Sequence, residues 1–263
     1  MNFKRLRHPI LSAAVISSTL LLSTLAAAKT IDKTFDADAG DTLTVRTDGG
    51  SVNINTHGKD SIEVIAEIEG KDSDEFEVSF DNNRDGLTII GERERNNGWG
   101  YNNLRVKFYI TIPDKYNVDV NTAGGSISVD DLEGEVEVDT SGGSIKLGNI
   151  VGDVKAETSG GSIKTEDIDG NVNAHTSGGS IKVTMTKQIT EDASLTTSGG
   201  SVTANLLDDI KVDIDASTSG GRVRTDFDVD GKVTKRSIRG EINGGGPRLR
   251  LKTSGGSIHI KSL

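Results

Sequence analysis

Four basic side chains recur at one position of a repeated sequence and could bind an anionic ligand. Each is the second residue after the Gly-Gly-x segment of its repeat: Lys146, Lys164, Lys182 and Arg224. At the same position Thr203 interrupts the series and His259 closes it. If equivalent residues stack on neighbouring strands, these groups form a cationic strip. Two interpretations stay open: the strip contacts an anionic polymer or an acidic partner, or the charges only solvate a fold rich in strand edges.

A second candidate for binding is a pair of aromatic residues in a polar loop. Trp99 and Tyr101 lie between Gly91 and Asn103, in a segment rich in Gly, Asn, Glu and Arg. Aromatic rings of this kind stack on sugars and peptides. The alternative, which we favour, is that they cap the first strands of the fold.

No set of residues predicts catalysis or a metal site. His57, His175 and His259 fall at outward or corner positions of different repeats, and no zinc-protease or serine-nucleophile motif has supporting context. Residues 226–231 begin like a calcium loop, but the twelfth position holds Ser237 where a bidentate Glu is required. We interpret this segment as a strand running into a glycine turn. The prediction is a non-enzymatic protein without a cofactor.

Composition and charge exclude several classes of protein. The 263 residues include no Cys, which excludes disulfide scaffolds and thiolate metal sites. The net charge of −10, which becomes −13 without the basic leader, argues against nucleic acid as the main partner. Residues 218–263 hold 10 basic against 4 acidic side chains, so the remaining acidic excess lies in residues 29–217. The chain is therefore predicted to be polarised in charge.

The first 28 residues have the pattern of a secretory signal peptide. Lys4, Arg5 and Arg7 precede an apolar stretch from Ile10 to Leu25, which ends in small residues up to Ala28. An uncleaved membrane anchor is the alternative, but six Ser and Thr residues interrupt the apolar stretch. We expect cleavage after about Ala28 and an exported chain without a transmembrane span, in the periplasm, on the cell surface or secreted.

One short motif dominates the rest of the sequence. The pattern Thr-x-Gly-Gly-x-apolar occurs eight times, and successive copies begin 75, 18, 18, 18, 21, 21 and 35 residues apart. The copies begin at Thr47, Thr122, Thr140, Thr158, Thr176, Thr197, Thr218 and Thr253. A fixed period of this length indicates a repeat architecture in which each unit must pack on its neighbours.

Each copy is predicted to be a strand, a glycine corner and a second strand. Apolar residues alternate with polar ones on both sides of the motif, as in half-buried strands, and place the Thr on the inward side. The paired glycines provide either positive φ or close backbone approach. They are Gly49, Gly50, Gly124, Gly125, Gly142, Gly143, Gly160, Gly161, Gly178, Gly179, Gly199, Gly200, Gly220, Gly221, Gly255 and Gly256.

Two all-β architectures fit the pattern. In a single-stranded parallel β-solenoid, each copy of 18 to 21 residues is one rung and identical residues stack. In an antiparallel β meander, Gly-Gly makes a hairpin turn. The exact recurrence of the same residues favours the solenoid. We expect one domain over residues 29–263, regular in residues 118–263 and less regular in residues 29–117, where five strands are predicted at 42–46, 61–68, 75–80, 87–90 and 104–112.

Four segments are notable together: Leu104-Arg-Val-Lys-Phe-Tyr-Ile-Thr-Ile-Pro113, Val118-x-Val-x-Thr-x-Gly-Gly-Ser-Ile127, the repeated Thr-Ser-Gly-Gly-Ser-Ile, and the C-terminal segment from Gly240 to Ile258. With them the chain resembles the bacterial putative adhesin family of exported β-strand-repeat domains. The resemblance covers about residues 29–263. It implies a β-solenoid-like domain at the cell envelope and carries no catalytic residues.

We therefore expect a non-enzymatic binding or structural module of the cell envelope. Its predicted partner is an envelope polymer, a glycan or an envelope protein. The alternative is a periplasmic scaffold or stress-sensing component that contacts another envelope protein through its basic end. An enzyme acting on acidic polysaccharide is the least favoured, because no clustered acidic and basic set is evident.

Overall fold

The protein folds entirely into β structure within the part that can be described. A computed structural model describes residues 28–93 and 104–263. These residues form strands and one turn of 3₁₀ helix at Ser73–Glu75. No helix in these two ranges is long and apolar enough to cross a membrane. The predicted signal peptide, apart from Ala28, lies outside the described residues.

The strands are short and follow one another closely. In the N-terminal third they are β1 (Ala28–Asp36), β2 (Thr42–Thr47), β3 (Ser51–His57), β4 (Ser61–Glu69), β5 (Phe76–Asn83), β6 (Gly86–Arg93) and β7 (Arg105–Pro113). The regular part begins with β8 (Asn117–Thr122), β9 (Ile127–Val129), β10 (Leu132–Glu133), β11 (Val136–Thr140), β12 (Ile145–Leu147), β13 (Ile150–Val151), β14 (Val154–Thr158), β15 (Ile163–Asp169), β16 (Val172–Thr176) and β17 (Ile181–Met185). The last eight are β18 (Ala193–Thr197), β19 (Val202–Leu206), β20 (Val212–Thr218), β21 (Val223–Thr225), β22 (Asp230–Val233), β23 (Ser237–Ile242), β24 (Arg248–Thr253) and β25 (Ile258–Ser262).

The strands build two large sheets, which we call sheet A and sheet B. Along sheet A the order is β1-β4-β7-β3-β9-β12-β15-β17-β19-β25-β21, with β10 and β13 beside this path. Along sheet B the order is β22-β23-β20-β24-β18-β16-β14-β11-β8-β2-β6-β5. In every copy of the repeat, the strand before the Gly-Gly corner joins sheet B and the strand after it joins sheet A.

Successive copies pair in parallel and in exact register. On sheet B, Thr140 is paired with Thr122 on one side and with Thr158 on the other. On sheet A, Ile145 is paired with Ile127 and Ile163. An antiparallel meander would pair these strands in opposite directions, so that alternative is wrong for the regular part of the chain.

The spatial order of the copies departs from their order in sequence at both ends. The strands β24 and β25, which come last in the chain, lie between the Thr197 copy and the Thr218 copy. At the other end β2 and β3 lie between β6 and β7 on one side and β8 and β9 on the other. Our expectation that His259 closes the series after Arg224 is therefore wrong.

Antiparallel strands flank the parallel region at both ends. On sheet A, β4 pairs antiparallel with β7 and β1 with β4, whereas β5 pairs antiparallel with β6 on sheet B. At the opposite end β22 and β23 form an antiparallel hairpin on β20. The five strands predicted in the N-terminal third are confirmed, but β1 and this hairpin were not predicted.

The segment that resembles a calcium loop contributes to the hairpin. Its strand begins only at Asp230, and Gly231 lies inside this strand opposite Gly240. A Cβ atom at position 231 would lie 2.2 Å from the carbonyl oxygen of Arg239. Our interpretation of Gly231 as a turn residue is therefore wrong, and close packing of two strands explains this glycine.

The core lies between the two sheets and is filled by the predicted inward residues. Val136 and Val138 are buried on β11, and Ile145 and Leu147 are buried on β12. The repeated Thr is buried as well, with Thr140 only 1% exposed. The prediction that the threonines point inward is confirmed, and burial of this alternating pattern is the main force holding the copies together.

A second corner connects each copy to the next. Leu132, Ile150 and Ile168 are buried there, at equivalent positions of three successive copies. Beside them, the side-chain oxygen of Asn171 accepts the backbone N–H groups of Thr190 at 3.0 Å and Glu191 at 3.1 Å. These hydrogen bonds provide an acceptor for backbone N–H groups of the corner that are not paired within a sheet.

Candidate functional site

Three of the predicted basic residues form a continuous column on the outer face of sheet A. Lys146 on β12 is paired with Lys164 on β15, which is paired with Lys182 on β17. All three are exposed. Neighbouring strands in a sheet are about 4.8 Å apart, so the Cα atoms of the three lysines are spaced at about that distance. We call Lys146, Lys164 and Lys182 the lysine column.

One carboxylate lies among these ammonium groups. The Nζ atom of Lys164 donates a hydrogen bond of 2.9 Å to Oε1 of Glu166. This hydrogen bond, and then the attraction of the Lys164 charge, lower the pKa of Glu166, and the charges of Lys146 and Lys182 add to the effect. Lys146 and Lys182 have no ion pair with any described residue. The column therefore keeps an excess of positive charge.

The threonine ladder at the Gly-Gly corner holds the column in register. The hydroxyl of Thr158 donates to the carbonyl oxygen of Gly143 in the preceding copy at 2.8 Å, and Thr176 donates to Gly161 at 2.7 Å. The same bond recurs at Thr140, Thr197, Thr218 and Thr253. Because each hydroxyl is buried and bonded to its neighbouring copy, a slip of one copy would leave buried polar groups unpaired.

The serine that follows the glycine pair in all copies but the Thr218 copy forms a second ladder beside the first. The backbone N–H of Ser162 donates to the hydroxyl of Ser144 at 3.2 Å, and that of Ser180 donates to Ser162 at 3.0 Å. These serines precede Lys146, Lys164 and Lys182 by two residues. The lysine column is thus attached directly to a hydrogen-bonded corner.

Close approach of the copies explains the second glycine of each pair. A Cβ atom at Gly143 would lie 1.9 Å from the carbonyl oxygen of Gly125, and one at Gly161 would lie 2.1 Å from that of Gly143. Among the second glycines of the pairs, φ is positive at Gly50, where it is 112°, and at Gly125, where it is 105°. In the regular copies the requirement for glycine is therefore steric.

Arg224 does not extend the lysine column. Starting from Lys182, the paired residues are Thr203, His259 and then Arg224. Three strand spacings thus separate Arg224 from Lys182, which is about 14 Å. Arg224 keeps the equivalent position expected from sequence, but His259 lies between it and Thr203, so Arg224 is one strand farther from the lysines than expected.

The remaining candidates from sequence do not come together. Trp99 and Tyr101 lie outside the described residues, so neither interpretation of them is tested. His57 is hydrogen-bonded at 2.8 Å to the carbonyl oxygen of Ser61, and His175 to the hydroxyl of Thr196. His175 is on sheet B and His259 on sheet A. No group of three or more potential metal ligands occurs within residues 28–93 and 104–263.

The outer face of sheet B holds an acidic groove of about 280 Å³. Its lining includes Glu135, Glu137 and Asp153, which the sequence predicts to face outward, and also Asp192. Lys155 also lines the groove, and its Nζ atom lies 2.7 Å from Oε1 of Glu137. Desolvation, followed by repulsion from Glu157, raises the pKa of nearby Asp139. Negative charge is therefore concentrated in this groove, which is on the sheet opposite the lysine column.

Sheet B also carries a group of three basic residues that was not recognised as a group from the sequence. Arg248, Arg250 and Lys252 are exposed along β24, which lies inside the sheet between β18 and β20. They count toward the basic C-terminal segment in the sequence, but their position in the sheet follows only from the order of the strands. Alignment of the repeats on Thr140 and Thr253 would have revealed this group, because it aligns Glu137 with Arg250 and Asp139 with Lys252 and so shows the reversal of charge.

Comparison with solved structures finds similar chains of low identity. One is a putative cell adhesion protein from Clostridium sporogenes, with 15% identity, 89% of this chain and 100% of that chain covered, and a TM-score of 0.38. Another is a putative lipid binding protein from Parabacteroides distasonis, with 14% identity, coverage of 89% and 96%, and a TM-score of 0.41. A putative adhesin from Bacteroides fragilis has 13% identity, coverage of 89% and 97%, and a TM-score of 0.35. Similarity at this level carries no information on ligand or activity.

Comparison with known families and curated proteins gives one match. No curated protein matches the chain. The Toastrack DUF4097 family matches residues 41–169 and again residues 151–261. The two segments overlap and together include every copy of the repeat and the lysine column. The resemblance seen in the sequence is thereby confirmed at the level of the family, and the chain belongs to the Toastrack DUF4097 family.

Proposed function

We propose that this chain is an exported, non-enzymatic binding module of the bacterial cell envelope. In this proposal its regular part is a β-solenoid that displays the lysine column to an anionic envelope polymer. The observation that carries the proposal is the column itself, because three ammonium groups on neighbouring strands face solvent with one carboxylate among them.

The parallel pairing supports the solenoid. Each copy contributes one strand to each sheet, and equivalent residues of successive copies are direct partners. From Thr122 to Thr218, successive copies begin 18 or 21 residues apart, close to what two short strands and two corners require. A fold of this kind is rigid and repetitive, and it presents identical side chains at a constant interval.

The geometry of the column favours an extended ligand. Lysines on adjacent strands line up along the direction in which the copies stack, so a linear polymer with regularly spaced anions can contact all of them at once. Each contact is exposed and weak. The affinity therefore depends on several contacts made together, and it should fall with rising salt.

The proposal includes no catalytic step. The three described histidines are on separate copies, and two of them already bond a carbonyl or a hydroxyl. The acidic groove and the lysine column are on different sheets. An enzyme acting on acidic polysaccharide would need acidic and basic groups that converge on one bond of the substrate.

A binding experiment with a matched control tests the column. Fluorescent polygalacturonate is titrated with the wild type and with a variant in which Lys146, Lys164 and Lys182 are Ser. The control variant carries Lys59→Ser, Lys115→Ser and Lys187→Ser at three exposed positions elsewhere, so its net charge equals that of the first variant. We expect about a ten-fold loss of affinity in the first variant and little change in the control. Equal binding by all three proteins, or no binding by the wild type, would contradict the proposal.

A second experiment tests location. Protease is added to intact cells and to cells with a permeabilised outer membrane, and cleavage of the protein is followed. Cleavage on intact cells supports contact with external polymers or surfaces. Protection until permeabilisation places the chain in the periplasm and favours the alternative of a scaffold for another envelope protein. A chain found in the cytoplasm would contradict export.

A further inference from the structure

Two strands of sheet B carry opposite charges at matching positions. Glu135, Glu137 and Asp139 lie just before and along β11, and Arg248, Arg250 and Lys252 lie along β24. On both strands the charged residues alternate with buried apolar residues and point to the outer face. We call these sets the acidic triplet and the basic triplet.

The register places the two triplets at the same height along their strands. The pairs run from Glu137 through Lys155, Asn173 and Ser194 to Arg250. They run likewise from Asp139 through Glu157, His175 and Thr196 to Lys252. Continuing the same register by one residue pair aligns Glu135 with Arg248.

The strand midway between the triplets is β16. Along the sheet, β14 separates it from β11 and β18 separates it from β24. β16 is also sixth in the order of the twelve strands of sheet B. The acidic triplet and the basic triplet are therefore each about 10 Å from this central strand, on opposite sides.

Within one chain these charges have few partners. The basic triplet makes no side-chain ion pair with any described residue. On one side, β18 places Ser194 and Thr196 beside Arg250 and Lys252, and Asp192 accepts only the backbone N–H of Arg248. On the other side, β20 places Asp213 beside Arg248 and Asp215 beside Arg250, but Asp213 accepts the backbone N–H of Gly246 and Asp215 is bonded to Arg239. In the acidic triplet, Glu137 is bonded to Lys155, and Asp139 lies among carboxylates with only this lysine close by. Both triplets thus present unbalanced charge to their surroundings.

We propose that two copies of the chain associate face to face through sheet B, about a two-fold axis that runs parallel to β16. Rotation about this axis reverses the order of the strands and preserves position along them. Glu137 of each copy then faces Arg250 of the other, Asp139 faces Lys252, and Glu135 faces Arg248. A two-fold interface makes every such pair twice, so the dimer gains six ion pairs.

The centre of the face permits close approach. The outward residues of β16 and β18 are Asn173, His175, Ser194 and Thr196, which are short or flat and carry no carboxylate or ammonium group. The charged outward residues of β14, Lys155 and Glu157, then face Ser194 and Thr196 of the other copy. Farther out, the half-buried Asp119 and Asp215 are each bonded to an arginine of their own chain, and the exposed Asp213 accepts the backbone N–H of Gly246. Twelve strands at about 4.8 Å, each about five residues long at about 3.3 Å per residue, offer roughly 900 Å² per copy, the size of a standard interface.

Charge reversal with complementation tests the dimer. The acid-reversed variant has Glu137→Lys and Asp139→Lys, and the base-reversed variant has Arg250→Glu and Lys252→Glu. Molar mass is measured by sedimentation and light scattering for each variant alone and for an equimolar mixture. In the mixture both halves of the two-fold interface again pair opposite charges. The control, Glu63→Lys with Glu67→Lys on β4 of sheet A, makes the same change in net charge as the acid-reversed variant.

We expect wild type and control to have twice the mass of the chain at low salt, each reversed variant alone to be monomeric, and the mixture to recover the dimer. Raising the ionic strength from about 0.05 M to about 0.5 M should weaken the wild-type dimer. A monomeric wild type at low salt overturns the proposal and leaves the face to a different charged partner. Dimers formed by either reversed variant alone, or a mixture that stays monomeric, overturn it too. Recovery in the mixture also shows that both variants are folded, and neither result depends on the ligand of the lysine column.

Discussion

Replacement of a single glycine at one corner tests whether the copies are held by their close approach. Gly142 and Gly143 are adjacent, and neither has the positive φ that would disfavour alanine. The nearest atom to a Cβ at position 142 is Cα of Gly124 at 3.7 Å, an ordinary contact. At position 143 the Cβ would lie 1.9 Å from the carbonyl oxygen of Gly125. Gly142→Ala is thus the matched control for Gly143→Ala.

The expected loss of stability follows from this contact. To reach an ordinary carbon–oxygen distance, the corners of two copies must separate by roughly 1.3 Å, since overlap of this size cannot be absorbed in a packed core. The separation breaks the hydrogen bond of 2.8 Å from Thr140 to Gly125 and that of 3.2 Å from Ser144 to Ser126. Two hydrogen bonds at about 1 kcal/mol each, with about 1–3 kcal/mol for overpacking, give a cost of about 3–5 kcal/mol for Gly143→Ala. Gly142→Ala should lie within about 0.5 kcal/mol of the wild type or be slightly stabilising.

Urea unfolding followed by far-ultraviolet circular dichroism measures the free energy of unfolding of the three proteins. Amide hydrogen exchange shows whether the opening is confined to the copies on either side of the corner, as nearest-neighbour coupling predicts. If the two alanine variants differ by less than about 0.5 kcal/mol, steric contact does not explain the second glycine, and the reasoning fails.

Three further predictions concern buried hydrogen bonds and one titrating group. Thr158→Val, which preserves shape but removes the hydroxyl that bonds Gly143, should cost about 1–2 kcal/mol in urea unfolding, whereas Thr158→Ser should retain the bond and cost less. Asn171→Ala should cost about 2–3 kcal/mol because two backbone N–H groups lose their acceptor; the same change at exposed Asn149 is the control, and an equal cost at both sites would contradict the argument. The pKa of Asp139 is raised, chiefly by desolvation, so its ionised form disfavours the folded state above that pKa and the effect vanishes as Asp139 becomes protonated. In about 0.5 M salt, which weakens the proposed dimer, Asp139→Asn should therefore raise the melting temperature slightly at pH 7 and lose this advantage in acid; an advantage that persists in acid would point to a cause other than charge.

Much of the fold follows from local pattern. Alternation of apolar and polar residues around Thr140 and Gly143 identifies two strands and their inward faces, because burial of one face of a strand has a period of two. The exact recurrence of these residues also predicts parallel register, since only parallel pairing brings Thr140 beside Thr122 and Thr158. The lysine column was predictable for the same reason.

The order of the copies at the ends does not follow from local pattern. The residues of β24 and β25 resemble those of every other copy, so nothing in them indicates that they insert between the Thr197 and Thr218 copies. That choice depends on the preceding hairpin of β22 and β23, which occupies the outer edge of β20. Arg224 was misplaced, and the basic triplet was overlooked, because both depend on which strands are neighbours rather than on which residues are strands.

The insertion of the last strands between two earlier copies restricts how the protein could change length. Duplication of residues 141–158 would add one copy in the middle, lengthen the stack by about 4.8 Å and add a lysine next to Lys146. At either end, paired strands such as β2 and β8 or β20 and β24 are connected by a long intervening segment of chain. A duplication there would insert a copy between these partners and break their pairing. Growth and shortening of such a chain are therefore confined to its central copies, and the number of lysines in the column would change with each event.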